Sequence, residues 1–145
     1  MSELGGRLDR ALAGPGIVRV EHEGRVAEVD VVEVDRLGVR VRSLRVDAGP
    51  GEVSVQEAGA RLPGALRGLP ERLVTVEVAP TLGGAVVRTV PEEVRDREFF
   101  EARTDGRVTQ LERVRATGEG REQVPFTVTR EALGRIVDRV AGDSG

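Results

Sequence analysis

The chain has 145 residues, with 22 basic and 25 acidic side chains, and it lacks cysteine, tryptophan, tyrosine and lysine, so every basic residue besides His22 is arginine. That composition excludes a disulfide framework, a thiolate zinc site and a cysteine nucleophile. The near balance of charge, formally −3, argues against a general nucleic-acid surface, where clustered positive charge supplies most of the affinity.

The length fits one domain that can bury a core without disulfides or metal. Valine contributes 25 residues, mostly in short alternating runs, which reads as a strand-rich globular composition. The first residues, Met1 to Arg7, lack a basic segment followed by an apolar stretch. No apolar run approaches the roughly 18 residues of a membrane span. Membrane is therefore not expected as a partner, and a cytoplasmic location is the expectation.

In chain order, Ser2 can cap a first helix over residues 3–12, with Leu4, Leu8, Ala11 and Leu12 at helical spacing and Gly14-Pro15-Gly16 as its stop. Gly5 and Gly6 weaken it by about 1 kcal/mol each relative to alanine, so it depends on docking. Strands follow at 17–21, 26–34 and 39–46, with turns at Glu23-Gly24 and at 35–38. In the third strand Val39 and Val41 share one parity while Leu44 and Val46 share the other, which predicts a bulge near Ser43. Val31-Val32 shows the same slip, so the second strand is either bulged too or buried on both faces.

After the break at Ala48-Gly49-Pro50-Gly51, residues 57–69 carry Leu62, Leu66 and Leu69 at helical spacing, but Pro63 and three glycines predict only one or two short helical turns. Strands are expected at 73–78 and 85–90, followed by a break at Pro91-Glu92-Glu93. Residues 99–103 and 108–115 read as a hairpin across Asp105-Gly106, although Val108, Leu111 and Val114 at spacing three also suit a helix. A polar loop over 117–120 leads to a strand holding Val124, Phe126 and Val128. Thr129 then caps a helix over 130–141 with Leu133, Ile136, Val137 and Val140 along one side and Gly142 at its end.

These elements predict an α+β fold, with antiparallel sheet or sheets of seven to nine short strands and an N-terminal and a C-terminal helix packed on the sheet. A possible internal duplication is visible. Residues 17–29 and 99–111 share a strand, an acidic-Gly-Arg-Val turn and a second strand, and the helix-leading segments at 53–56 and 126–129 also match.

The chemistry-bearing residues are sparse. His22, the single histidine, lies between Glu21 and Glu23 at a turn, where an exposed turn residue is the simpler reading than a base or ligand. Glu28 and Asp30 share one strand face about 7 Å apart, a spacing that suits a hard cation or paired-acid chemistry. Cross-strand pairing with Arg36, Arg40, Arg42 and Arg45 explains the same residues without a ligand. The glycine-rich segments lack the spacing of phosphate loops, and Ser2, Ser43, Ser54 and Ser144 lie outside any nucleophile elbow. No catalytic residue, metal ligand or cofactor is expected.

Phe99-Phe100 places adjacent rings on opposite strand faces, so one of them should leave the local core. Together with Leu4 and Leu8 of the weak first helix, they are candidate interface residues. The expected function is a non-enzymatic protein-interaction or adaptor module whose partner is another protein or a second copy in a homodimer. The alternative is a small-molecule binder or carboxylate-based enzyme using Glu28 and Asp30.

Overall fold

The computed structural model describes residues 3–51, 53–69, 73–79, 83–89 and 98–142, with the backbone alone for 73–79. Three helices and nine strands follow in the order α1 (Glu3–Ala11), β1 (Gly16–His22), β2 (Arg25–Val34), β3 (Gly38–Asp47), α2 (Val55–Ala65), β4 (Leu73–Ala79), β5 (Gly84–Thr89), β6 (Glu98–Thr104), β7 (Val108–Thr117), β8 (Gly120–Val124), β9 (Phe126–Thr129) and α3 (Arg130–Val140) among the described residues. The expected α+β architecture is what forms. The strands build one antiparallel sheet in the order β1-β2-β3-β7-β6-β5-β4, with β8 beside β7 and β9 beside β3.

Bulges resolve both parity slips. Asp30 pairs Ser43 and Val31 pairs Val41, so Arg42 is the extra residue of β3, one position from the expected Ser43. Val31 then pairs Val41 and Glu33 pairs Arg40, which makes Val32 the extra residue of β2. Each insertion flips the side-chain alternation, and Val39, Val41, Leu44 and Val46 all reach the same core.

That core lies on one face of the sheet. Ala27, Val29, Val31, Val87, Phe100, Ala102 and Leu111 of the strands meet Leu4 and Leu8 of α1, Leu62 of α2, and Leu133, Ile136 and Val137 of α3. Phe100 meets Phe126 edge to face, with ring centroids 5.1 Å apart. The glycine that weakens α1 as an isolated helix is what allows it to dock. A Cβ on Gly5 would lie 2.3 Å from the Gly134 carbonyl oxygen, and the Gly5 N–H donates to Asp138 Oδ1 at 2.8 Å. Arg130 ties the same corner together, pairing with Asp9 at 2.9 Å and donating to the Asp35 carbonyl at 3.2 Å.

Two local expectations change. Residues 55–65 form one continuous helix rather than separate turns. Ser54 caps it by accepting the Glu57 N–H at 3.1 Å, and Pro63 stands in its last turn, where it removes one backbone donor and the helix ends two residues later. The polar loop at 117–120 is a tight turn, because Thr117 already pairs Gly120, and the chain continues as β8. Pro125, which has no N–H to donate, separates β8 from β9 as the strand changes partner from β7 to β3. The expected break at 91–93 lies outside the described residues, as do residues 80–82 of the preceding turn region.

Of the segments matched in the possible duplication, the hairpins β1–β2 and β6–β7 are comparable, but 53–56 runs straight into α2 at Val55 whereas 126–129 forms β9 before α3. Ser54 and Thr129 cap those helices in the same way, each accepting the N–H three residues on. The hairpin turns differ, however. Glu23 and Gly24, both at positive φ, form a two-residue turn after the His22–Arg25 pair. The Asp105 carboxylate instead closes a longer turn by accepting the N–H groups of Arg107 and Val108.

Candidate functional site

The sheet face opposite the core carries no helix among the described residues, and both of its ends are built from arginine and carboxylate side chains. Alternation along β1 and β2 puts Arg19, Glu21, Glu28 and Asp30 on this face, with Glu28 in register between Arg19 and Arg45. Alternation along β5, β6 and β8 puts Arg88, Phe99, Glu101, Arg103 and Arg121 there. The outer strands β1 and β2 therefore bring more acids than arginines to this face, with Arg42 and Arg45 of β3 beside them, while β5, β6 and β8 bring three arginines to Glu101, with Glu112 of β7 opposite it.

Glu101 is the pivot of the basic end. It faces away from the helices and yet has 0% of its side chain exposed. Its cover consists of guanidinium groups. Arg88 Nε donates to Oε2 at 2.8 Å, and Arg103 Nε and Nη2 lie 2.7 and 2.6 Å from Oε1. Arg121 closes the third side through Nη2 on Oε2. Those guanidiniums remain partly in water, with side chains 33%, 57% and 42% exposed respectively. Burial alone would raise the Glu101 pKa, but the hydrogen bonds from Arg88, Arg103 and Arg121 outweigh it and hold the carboxyl below the usual carboxylate range.

Phe99 supports this cluster. The Arg88 and Arg121 guanidiniums lie 5.9 and 5.8 Å from its ring centroid, so two of the arginines that bind Glu101 also interact with one aromatic ring. Glu112 stands directly opposite Glu101 on β7, an unfavourable like-charge register, and its carboxylate accepts from Gln123 Nε2 at 2.9 Å. A shallow cleft of about 410 Å³ borders the cluster, lined by Arg88, Arg103, Val86, Asp105 and Gln110 among the described residues.

At the acidic end, Asp30 lies 3.5 Å from Arg42 and Glu21 lies 3.8 Å from Arg19. Both pairs are largely solvated, a setting in which ion pairs contribute little. Glu28 and Asp30 each have arginines as their registered or ion-pair neighbours, and among the described residues no group of three or more His, Asp or Glu side chains could hold a metal ion. His22 lies beside the first turn, its Nε2 3.9 Å from a Glu23 carboxylate oxygen.

Of the candidate interface residues, Leu4, Leu8 and Phe100 are buried in the core of the single chain, at 1%, 0% and 1% exposure. Phe99 is half-buried and is the ring that leaves the core. The aromatic pair thus divides between the two faces, while α1 is covered by α3 and the first strands. The Glu101 cluster went unrecognised in the sequence because residues 88, 101, 103 and 121 come from three strands. Its one local signal is the alternation Phe99-Glu101-Arg103, which places a ring, an acid and an arginine on one strand face.

No helix among the described residues is long and apolar enough to cross a membrane. No protein-family profile, curated protein or solved structure matches this chain.

Proposed function

We propose that the chain is a non-enzymatic protein-interaction module and that its helix-free sheet face receives a second copy of itself. The observation that supports this reading is the excess of acids on the outer strands β1 and β2 of that face and of arginines around Glu101 toward its other edge. A symmetric dimer must place one patch against the same patch rotated, so a face acidic at one end and basic at the other is complementary to itself. Glu21, Glu28 and Asp30 of one copy would lie against Arg88, Arg103 and Arg121 of the other.

Apolar contacts would supply most of the energy, while the charged groups set register and orientation. Ile17 shares the face with Asp30, its registered partner, and is 68% exposed. Phe99 gives the basic end a partly exposed ring of its own. The three arginines hold more positive charge than Glu101 neutralises, which favours an acidic surface as the occupant.

Sedimentation equilibrium at micromolar concentration tests the reading. A mass about twice the 15.6 kDa of the chain is expected, together with a dimer constant that weakens as salt is added. The double variant Glu28→Gln, Asp30→Asn should weaken dimerisation at least tenfold while leaving the thermal midpoint of the monomer in place. A concentration-independent mass of one chain, or a dimer indifferent to salt and to the double variant, overturns it.

A further inference from the structure

We propose that a second site, a cavity at the C-terminal end of α3, binds a small phosphate-class oxyanion. This cavity measures about 230 Å³ and lies between α2, α3, the start of β2 and the β6–β7 turn, away from the helix-free face. Four arginines from those four elements line it, Arg25, Arg61, Arg107 and Arg139, and its described lining contains no acidic side chain.

The neighbouring negative charge does not cancel these cations. Asp47 pairs with Arg107 at 2.8 Å. The end of α3 presents about half a negative charge toward the cavity; Arg139 stands in that last turn, and its Nη1 donates to the Arg67 carbonyl after α2 at 3.2 Å. Even with Arg25 and Arg107 set aside, Arg61 and Arg139 outweigh the helix end, and an anion is the species that this field attracts.

A second observation points the same way. Thr104 and Thr109 both line the cavity and are 4% and 8% exposed. Their hydroxyls bond to each other at 3.1 Å, and Thr104 Oγ1 also accepts the Gly106 N–H at 3.1 Å. Two hydroxyl protons serve one mutual bond, so one proton is left without an acceptor among the described residues, and buried donors rarely lack one.

The donor set, guanidiniums plus a hydroxyl and no carboxylate, matches an oxyanion with several acceptor oxygens. The volume is below the usual 300–1,000 Å³ of drug-sized sites, which suits a compact anion or the phosphate end of a small metabolite.

Isothermal titration of the full chain, with inorganic phosphate and separately with glycerol 3-phosphate, tests the proposal. Saturable binding of either anion is expected, and the tighter of the two distinguishes a free-phosphate site from a phosphate-ester site. Arg61→Gln should weaken binding at least tenfold with no change in thermal midpoint, whereas Arg19→Gln, on the opposite sheet face, should leave it unchanged. Absence of saturable heat up to about 10 mM of both anions, or an equal loss in the two variants, would overturn the proposal.

Discussion

The two ends of the helix-free face are both built from arginine and carboxylate, yet only one of them buries an ion. At the β1–β2 end, Asp30 and Glu21 keep solvent contact and meet arginines at 3.5 and 3.8 Å. At the β5–β6–β8 end, Glu101 loses all contact with solvent and is held by three arginines. A carboxylate can leave water only if its oxygens are fully hydrogen-bonded, and the single arginine that Asp30 and Glu21 each meet, at 3.5 and 3.8 Å, does not do that. Three guanidiniums on one acid can, and their long side chains also supply the cover that no helix provides on this face.

Comparison with the core face sets the energy scale. Ile136 of α3 is 1% exposed in the packed core, and Ile136→Ala should cost about 2–5 kcal/mol by chemical denaturation. A change below about 0.5 kcal/mol would mean that the α3 stripe contributes no packing.

Glu101→Gln is the next largest effect and separates the two ends most sharply. Removing the charge leaves three guanidiniums facing one another, and a loss of about 3 kcal/mol is expected, at the lower end of the range for breaking a buried ion pair because the arginines are partly solvated. The same variant should flatten the acid limb of the stability curve. The folded carboxyl titrates below its unfolded value, so its contribution is complete above the ordinary carboxylate range and is lost as pH falls through that range toward the folded pKa. Glu98, held low first by the Arg115 hydrogen bond, and Asp47, held low first by Arg107, work in the same direction. Acid unfolding of Glu101→Gln that parallels the parent curve would contradict the assignment.

A smaller loss is expected from Gly5→Ala. The new methyl would meet the Gly134 carbonyl at 2.3 Å and Asp138 Oδ2 at 2.7 Å, and separating α1 from α3 should cost about 1–3 kcal/mol. Helix propensity alone predicts the opposite sign, a gain of about 1 kcal/mol, so the direction measured by denaturation decides between close packing and propensity.

Smallest of all is Asp30→Asn, expected to change monomer stability by less than about 0.5 kcal/mol because the Arg42 pair is solvated. A loss approaching that of Glu101→Gln would erase the contrast between the two ends.

Much of this architecture is legible in the sequence because alternation records which face is buried. The parity slips at Val31-Val32 and between Val41 and Leu44 encode the bulges, and the Leu133–Val140 stripe with its Thr129 cap encodes α3. Alternation also separates Phe99 from Phe100, although it does not say which ring the core takes. Propensity misleads where tertiary contact reverses its meaning, as at Gly5, which permits the close approach to α3, and at Pro63, which the last turn of α2 accommodates.

The two clusters that carry the functional reading are hidden for a different reason. Glu101 reads as an exposed acid by parity, and only the arrival of Arg88 and Arg121 from neighbouring strands buries it. The residues at 25, 61, 107 and 139 have no common spacing and meet only after four elements pack.

The central claim is that Glu101 is buried as an ion and that three arginines make this possible. Carbon-13 NMR titration of the Glu101 side-chain carboxyl tests it directly. The Glu101 resonance should keep its ionised shift while pH is lowered through the ordinary carboxylate range, near 4.3 for an unperturbed glutamate, and should change only below it. A Glu101 that titrates at or above that ordinary value would show that burial dominates, and would contradict the account.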